Sequence, residues 1–246
     1  MKGFGINQSL ELKNKKIMKI GISINGVLRD YFGQIEKVHT KYFPPEDVEN
    51  EDGSITEGEP IKVKDYDLEK WITFPKEEVE QTELEFNPDF SMLDKTDTQE
   101  TEIKLEKKVE EVTVHEFMYE KCTLEIFGSA EESVPNAVKT LNRMILDFPE
   151  HEFIIMSREL GLSVPSTLFF LSKTSSQCQN IKFVTDSRDH WKYVDMMVTD
   201  HPDIINSKPN DKKCVVVNKD FNNFKDMNSN TRIESIKELP NILELP

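Results

Sequence analysis

The chain contains no run approaching the roughly 18 consecutive apolar residues that a membrane span requires. Its first residues, MKGFGINQSLELKNKK, lack the apolar centre of a secretion signal. Both absences lead us to expect a protein that stays in the cytoplasm where it is made. Cysteine is scarce as well: Cys122, Cys178 and Cys214 are far apart, odd in number and form no Cys-x-x-Cys pair. That argues against a zinc site and against a disulfide framework, and leaves three reduced, structural thiols as the expectation. Histidine offers little more, because His39, His115, His151, His190 and His201 include no two at a helical ligand spacing. A histidine-built metal cluster is therefore not expected.

Positive charge is depleted in one long segment. Residues 44 to 120 hold 25 Asp and Glu against 8 Lys, so this segment carries more than the whole net charge of −15 and the remainder is slightly basic. A block this acidic repels phosphates, which excludes direct nucleic-acid binding through it and leaves basic protein surfaces, or water, as its partners. What the chain does have is a 37% hydrophobic content over 246 residues, enough for one large domain or a domain with an insertion.

The periodicity divides the sequence. Residues 1 to 16 form a polar arm, and the first strand begins near Ile17. Ile20-Gly21-Ile22-Ser23-Ile24-Asn25 is a short buried-strand pattern broken at Gly26, followed by a helix carrying Tyr31, Ile35, Val38 and Tyr42. Pro44-Pro45 stops that helix. The acidic segment beyond it is turn-rich, but Trp71, Phe74, Phe86, Phe90, Phe117 and Tyr119 predict that parts of it pack. From residue 123 regular alternation returns. The pattern SVPNAVKTLNRMILDF predicts an amphipathic helix over 133–148, with Val134, Ala137, Val138, Leu141, Ile145 and Leu146 on its apolar face. Strands are predicted at 153–156, 181–184, 195–199 and 214–217, with helical stretches at 165–172 and 188–193. Strands alternating with helices predict an α/β fold: a Rossmann-like, mainly parallel sheet with helices on both faces. The domain plan is an arm (1–16), a core (17–43 and 121–225), an acidic insertion (44–120) and a C-terminal tail (226–246). The tail carries Ile233, Ile236, Leu239, Ile242, Leu243 and Leu245, apolar side chains that a monomer must bury or hand to a partner.

Four segments in this order resemble the motifs of the haloacid dehalogenase-like hydrolase superfamily. That family begins with a hydrophobic strand followed by Asp-x-Asp-Gly-Val/Thr, which Ile20 to Leu28 matches in everything except the two aspartates, here Ser23 and Asn25. Phe153-Ile154-Ile155-Met156-Ser157 matches the second motif, a strand ending in Ser or Thr. Lys173 or Lys192 supplies the lysine of the third, and Met196 to Asp200, with Asp203 nearby, looks like the acidic strand end of the fourth. The insertion falls where the family places its cap domain. In the family the first aspartate attacks phosphorus and ligates Mg²⁺, and the second protonates the leaving group. The resemblance therefore implies a degenerate site. Ser23 needs an adjacent base to act as a nucleophile, and Asn25 cannot exchange a proton near neutral pH. The expectation is no catalytic residue, no metal and no cofactor, with Asp200 and Asp203 the only ligands Mg²⁺ could use. A residual anion site at Gly26 and Ser157 is also expected.

Each of these residues also has a plain structural role available. Ser157 could cap the next helix, Asp200 could form a turn with His201-Pro202, Gly26 could serve the backbone of its turn, and Arg29 and Asp30 could tie that turn to neighbouring loops. Three further segments, LEIFGSAEESVPNAVKTLNRMI, FIIMSRELGLSVPSTLFFLSK and IKFVTDSRDHWKYVDMMVTDHPDII, are similar to proteins of tailed bacteriophages of gut bacteria, including crAss-like phages, where family members occur among virion components. The reading is a catalytically inactive scaffold, a structural or interaction subunit of a multi-protein assembly in a virion's neck or tail rings. It would be assembled in the host cytoplasm beside other proteins, with no nucleic acid or membrane as direct partner. The alternatives are an active Mg-dependent phosphatase or nucleotidase with an unusual site, and a non-hydrolytic binder of phosphate ligands.

Overall fold

A computed structural model of the protein describes residues 17–50, 54–74, 77–81, 106–110, 112–222 and 230–244. The expected N-terminal arm, Phe86, Phe90 and Leu245 lie outside the described residues. In chain order the strands are β1 (Lys19–Ser23), β2 (Val48–Glu49), β3 (Ile55–Thr56), β4 (Glu77–Gln81), β5 (Glu106–Glu110), β6 (Glu152–Ser157), β7 (Ile181–Phe183), β8 (Met196–Thr199), β9 (Lys213–Val217) and β10 (Thr231–Ile233). The helices are α1 (Tyr31–Tyr42), α2 (Leu68–Trp71), α3 (Val114–Glu116), α4 (Ala137–Asp147), α5 (Ser163–Lys173), α6 (Pro202–Asn206) and α7 (Leu239–Leu243). Two π-helical turns, Phe117–Lys121 and Leu124–Gly128, join α3 to the loop before α4.

Six strands make one sheet in the order β10-β9-β8-β1-β6-β7, and every pairing in it is parallel. Counted within the sheet alone, that is the doubly wound order of Rossmann-like folds, in which the winding reverses between the first and fourth strands. Here those strands are β1 and β8, paired Ile20↔Met196 to Ile22↔Val198. A crevice therefore opens at their carboxyl ends, where β1 stops at Ser23 and β8 at Thr199.

Near-continuous apolar strands are what a sheet covered on both faces demands. Side chains alternate between two cores. Ile20, Ile22, Phe153, Ile155, Val198, Val215 and Val217 meet α4, α5 and α7 on one face. Ile154, Met156, Met197, Cys214 and Val216 meet Trp191, Val194, Ile204 and Ile205 on the other. Gly21 is required on the second face, because a Cβ there would stand 2.7 Å from Met197 Sδ and 2.8 Å from Val194 Cγ1.

The third core belongs to α1 and the insertion. Tyr31, Ile35 and Val38 pack with Val63, Ile72, Phe117, Met118, Ile126 and Phe127, and Trp71, Phe74 and Tyr119 lie partly buried against them. The aromatic residues that predicted packing in the described part of the insertion do pack. Elsewhere in the insertion β2 pairs antiparallel with β3, and β4 with β5.

Two boundaries differ from the sequence reading. The tail is not separate from the core: β10 extends the sheet beside β9, and Ile233, Ile236, Leu239 and Leu243 are buried in the first core. The amphipathic helix starts at Ala137, not at Ser133, because the Glu132 carboxylate accepts the amides of Asn136 and Val138 at 2.9 and 2.8 Å and caps the helix from outside. Leu146, nine residues on from buried Ala137 and so on the opposite side of the helix, is exposed. The three cysteines are buried free thiols. No helix among the described residues is long and apolar enough to cross a membrane.

Candidate functional site

The loop after β1 is closed by a buried arginine. Gly26 takes φ +73°, a left-handed conformation that only glycine adopts without cost, and turns the chain so that Arg29 folds back beneath Asn25. Arg29 is fully buried. Its Nε donates to Asn25 Oδ1 at 2.9 Å, and its Nη1 to the Phe127 carbonyl at 2.6 Å and to Thr167 Oγ1 at 3.0 Å. Its Nη2 donates to both Asn25 Oδ1 and Glu159 Oε1. Asn25 completes the ring, donating through Nδ2 to Glu159 Oε1 at 2.8 Å. Phe127 and Phe170 flank the guanidinium, with ring centroids 5.2 and 5.5 Å away. Burial pushes the Arg29 pKa down and Glu159 holds it up, so the pair stands as a charged bridge in a dry setting. Next to it, the Ser23 hydroxyl donates to Thr199 Oγ1 at 2.8 Å across the switch point.

Above these residues lies a cavity of about 300 Å³ at the carboxyl ends of β1, β6 and β8. Its floor includes Ser23, Asn25 and Ser157, its wall Arg158, Glu159 and His201, and its roof Tyr66 and Leu68, contributed by the insertion. Arg158 donates through Nε to the Thr185 carbonyl at 3.2 Å, and its Nη1 lies against the His201 ring, whose Nδ1 accepts the Asp203 amide at 3.2 Å. Burial, then the charge of Arg158, hold His201 down to about 3, so its ring is neutral.

Asp200 is fully buried directly beside this cavity. Its Oδ1 accepts from Tyr66 Oη at 2.9 Å, while Oδ2 is buried with no hydrogen-bond partner. Tyr66 also lies 4.1 Å from the His201 ring, so one insertion residue covers both. Desolvation pushes the Asp200 pKa up from 3.8 to about 6, against the hydrogen bond from Tyr66 and the charge of Lys219. The sign follows directly. An acid whose folded pKa is raised favours the folded state below its unfolded pKa, and that advantage is lost as pH rises through the folded value. Between about pH 4 and pH 6 the wild type should therefore lose stability relative to Asp200→Asn, which cannot ionise. Urea midpoints of the two proteins across that range test this. Curves that run parallel would show that burial does not raise the Asp200 pKa above its unfolded value.

The structure brings together some of the residues singled out in the sequence and separates others. Ser23, Asn25, Ser157 and Asp203 line the cavity, and Gly26 and Asp200 touch just beside it. Ser157 does not cap α5; its Oγ accepts the amide of Glu159 at 3.3 Å. Lys173 and Lys192 are both elsewhere. Lys173 donates to the carbonyls of Ser129 and Ala130 at 2.9 and 2.8 Å, and Lys192 is an exposed partner of Asp189 at 2.8 Å. Neither lysine is on the cavity lining. The arginine on the cavity lining is Arg158, which the sequence reading did not single out, while Arg29 lies buried and ties its turn to neighbouring segments. Their only signal was adjacency: Arg158 and Glu159 follow the strand end directly, and Arg29 sits one helical turn beyond Asn25.

Mg²⁺ is held in octahedral array by one or two carboxylates, with waters completing the shell. Of the two carboxylates the sequence offers for it, Asp200 keeps Oδ2 without a hydrogen-bond partner. Ser23 spends its hydroxyl hydrogen on Thr199, Asn25 Oδ1 is taken by Arg29, and Asp203 reaches toward Arg158 at 3.9 Å. Among the described residues no three His, Cys, Asp or Glu side chains converge as a metal site would require. Compared with protein-family models and with curated proteins, the chain matches none.

Proposed function

We propose that the chain is a catalytically inactive relative of the haloacid dehalogenase-like hydrolases, serving as a structural or interaction subunit of a multi-protein assembly of the kind found in tailed-phage particles. One observation carries the loss of chemistry: the two side chains at the attacking and proton-donating positions are locked into hydrogen bonds within the protein, Ser23 to Thr199 and Asn25 to Arg29 and Glu159. No general base stands against Ser23, whose only side-chain partner among the described residues is a neutral hydroxyl. Support for a role in assembly comes from exposed apolar side chains elsewhere on the surface. Leu124, Leu162 and Phe169 are each at least half exposed, and Leu124 and Phe169 converge over Gly128. Clustered apolar side chains of this kind suit contact with another protein.

Turnover tests the reading. Purified protein with Mg²⁺ should hydrolyse a generic phosphate ester and a nucleotide panel no faster than its Asp200→Ala variant. Hydrolysis above that control would overturn the inactive reading and require a nucleophile other than the locked pair.

A further inference from the structure

Helix α5 is apolar on the side where water should be. A helix packed on a sheet buries an apolar stripe and shows solvent a polar one. In α5 the buried side holds Ser163, Ser166 and Thr167 beside Phe170 and Leu171. Those hydroxyls are engaged: Thr167 accepts from Arg29, and the two serines donate to the carbonyls of Leu160 and Leu162. The outward side carries Leu162, Pro165, Leu168 and Phe169. Leu162, Pro165 and Phe169 fall at i, i+3 and i+7, one stripe along the helix, with Leu168 a turn beyond Pro165. Phe169 meets Leu124 over Gly128, and Leu160 stands at the foot of the helix. Leu124, Leu160, Leu162, Leu168 and Phe169 are each 44 to 64% exposed, whereas Ile55, Leu146 and Tyr193 lie on separate elements and need no explanation.

Charge and area narrow what covers this face. From Leu160 to Ser172 the sequence has no Asp, Glu, Lys or Arg, in a chain that is 31% charged. A strongly charged partner finds nothing to pair with there. A second copy fits better, because two molecules at −15 repel and do so least where neither presents charge. At roughly 200 Å² for a fully exposed Leu or Phe, the five residues leave on the order of 500 Å² uncovered per molecule. Two copies would bury about 1,000 Å², the area a specific interface must clear, before any polar rim is added.

We propose that the outer face of α5, with Leu124, is a contact between two copies of this chain, α5 against α5 about a two-fold axis. Each copy then offers the same patch to the other. The inference deepens the assembly role proposed above and rests on it for the face being a contact at all.

Sedimentation velocity of the full chain over the micromolar range tests the pairing, and a dimer is expected. Phe169→Glu should weaken association about a hundredfold or more, because it sets a carboxylate in the dry centre of the contact. Leu162→Glu, at the other end of the stripe, should act likewise, and Leu146→Glu, exposed on α4, should leave the dimer intact. Unchanged far-ultraviolet circular dichroism shows that each variant keeps its fold. Mixing Phe169→Glu with Phe169→Lys should restore a dimer of unlike variants, a rescue that follows only if the patch meets itself. A wild type that stays monomeric, or a dimer that survives both glutamates, would overturn the pairing. Species larger than two copies would overturn the two-fold arrangement. A monomer would leave the assembly role standing with a different protein on this face, whereas phosphate-ester turnover would count against the inactive reading and leave the dimer unaffected.

Discussion

Arg29→Met should unfold the protein at a temperature roughly 10 °C below the wild type. The substitution removes a fully buried cation and leaves the Glu159 carboxylate, itself 2% exposed, with no counter-charge. Breaking a buried pair from one side costs about 3–5 kcal/mol, a large part of the 5–15 kcal/mol that holds a typical domain together. For chains of this size each kcal/mol moves the midpoint by roughly 2–4 °C. The deletion also strips donors from the Phe127 carbonyl and Thr167, so part of the loss is unrelated to charge. The double variant Arg29→Met with Glu159→Met separates the two. Removing both charges should recover more than half of the loss, because a buried pair contributes little over an apolar replacement while an orphaned member is costly. Thermal melts of the wild type, Arg29→Met, Glu159→Met and the double variant in one buffer provide the test, and a double variant no more stable than Arg29→Met would show that the bridge is not what Arg29 supplies.

Gly26→Ala is expected to be nearly as damaging, for two reasons that can be measured apart. At φ +73° any side chain carries the left-handed penalty of about 1–2 kcal/mol. The added Cβ would also stand 1.8 Å from Asp200 Oδ2 and 2.4 Å from its Cγ, forcing the buried carboxylate off Tyr66. Overpacking of this kind adds about 1–3 kcal/mol. In an Asp200→Ala background the second contribution vanishes, and Gly26→Ala should then cost only the backbone penalty. An equal loss in both backgrounds would place the whole effect in the backbone.

Much of the fold was legible because its signal is local. The apolar runs at β1, β6, β8 and β9 and the helices between them could hardly be anything but a covered parallel sheet. The glycine at 26 marked its own turn. The tail was harder, since the Thr-Arg-Ile of β10 is too short to declare itself and becomes a strand only because Val215 to Val217 offer it an edge. The site was legible at the strand ends and illegible in its partners. Ser23, Asn25 and Ser157 were found because position along a strand predicts them. Lys173 and Lys192 stood as open alternatives, because choosing a lysine requires knowing which way a helix surface faces. Arg158, His201 and Tyr66 meet across gaps of 43 and 135 residues in sequence, and no period in the chain joins them.

The position of β1 has a consequence for how the molecule is made. It is the first strand of the described chain and the centre of the sheet, yet Lys19 must find Glu152 on one side and Ile20 must find Met196 on the other. At ribosomal rates of 5–20 residues per second, that leaves both edges of an apolar strand unpaired for on the order of ten seconds after it emerges. Only the cluster around α1 can form in the interval, as Val63, Ile72 and Phe117 arrive one after another. The insertion thus reaches its docking helix before the sheet exists. The β1 strand, whose Ile20 and Ile22 belong to a different core, stays uncovered until the later strands and helices arrive.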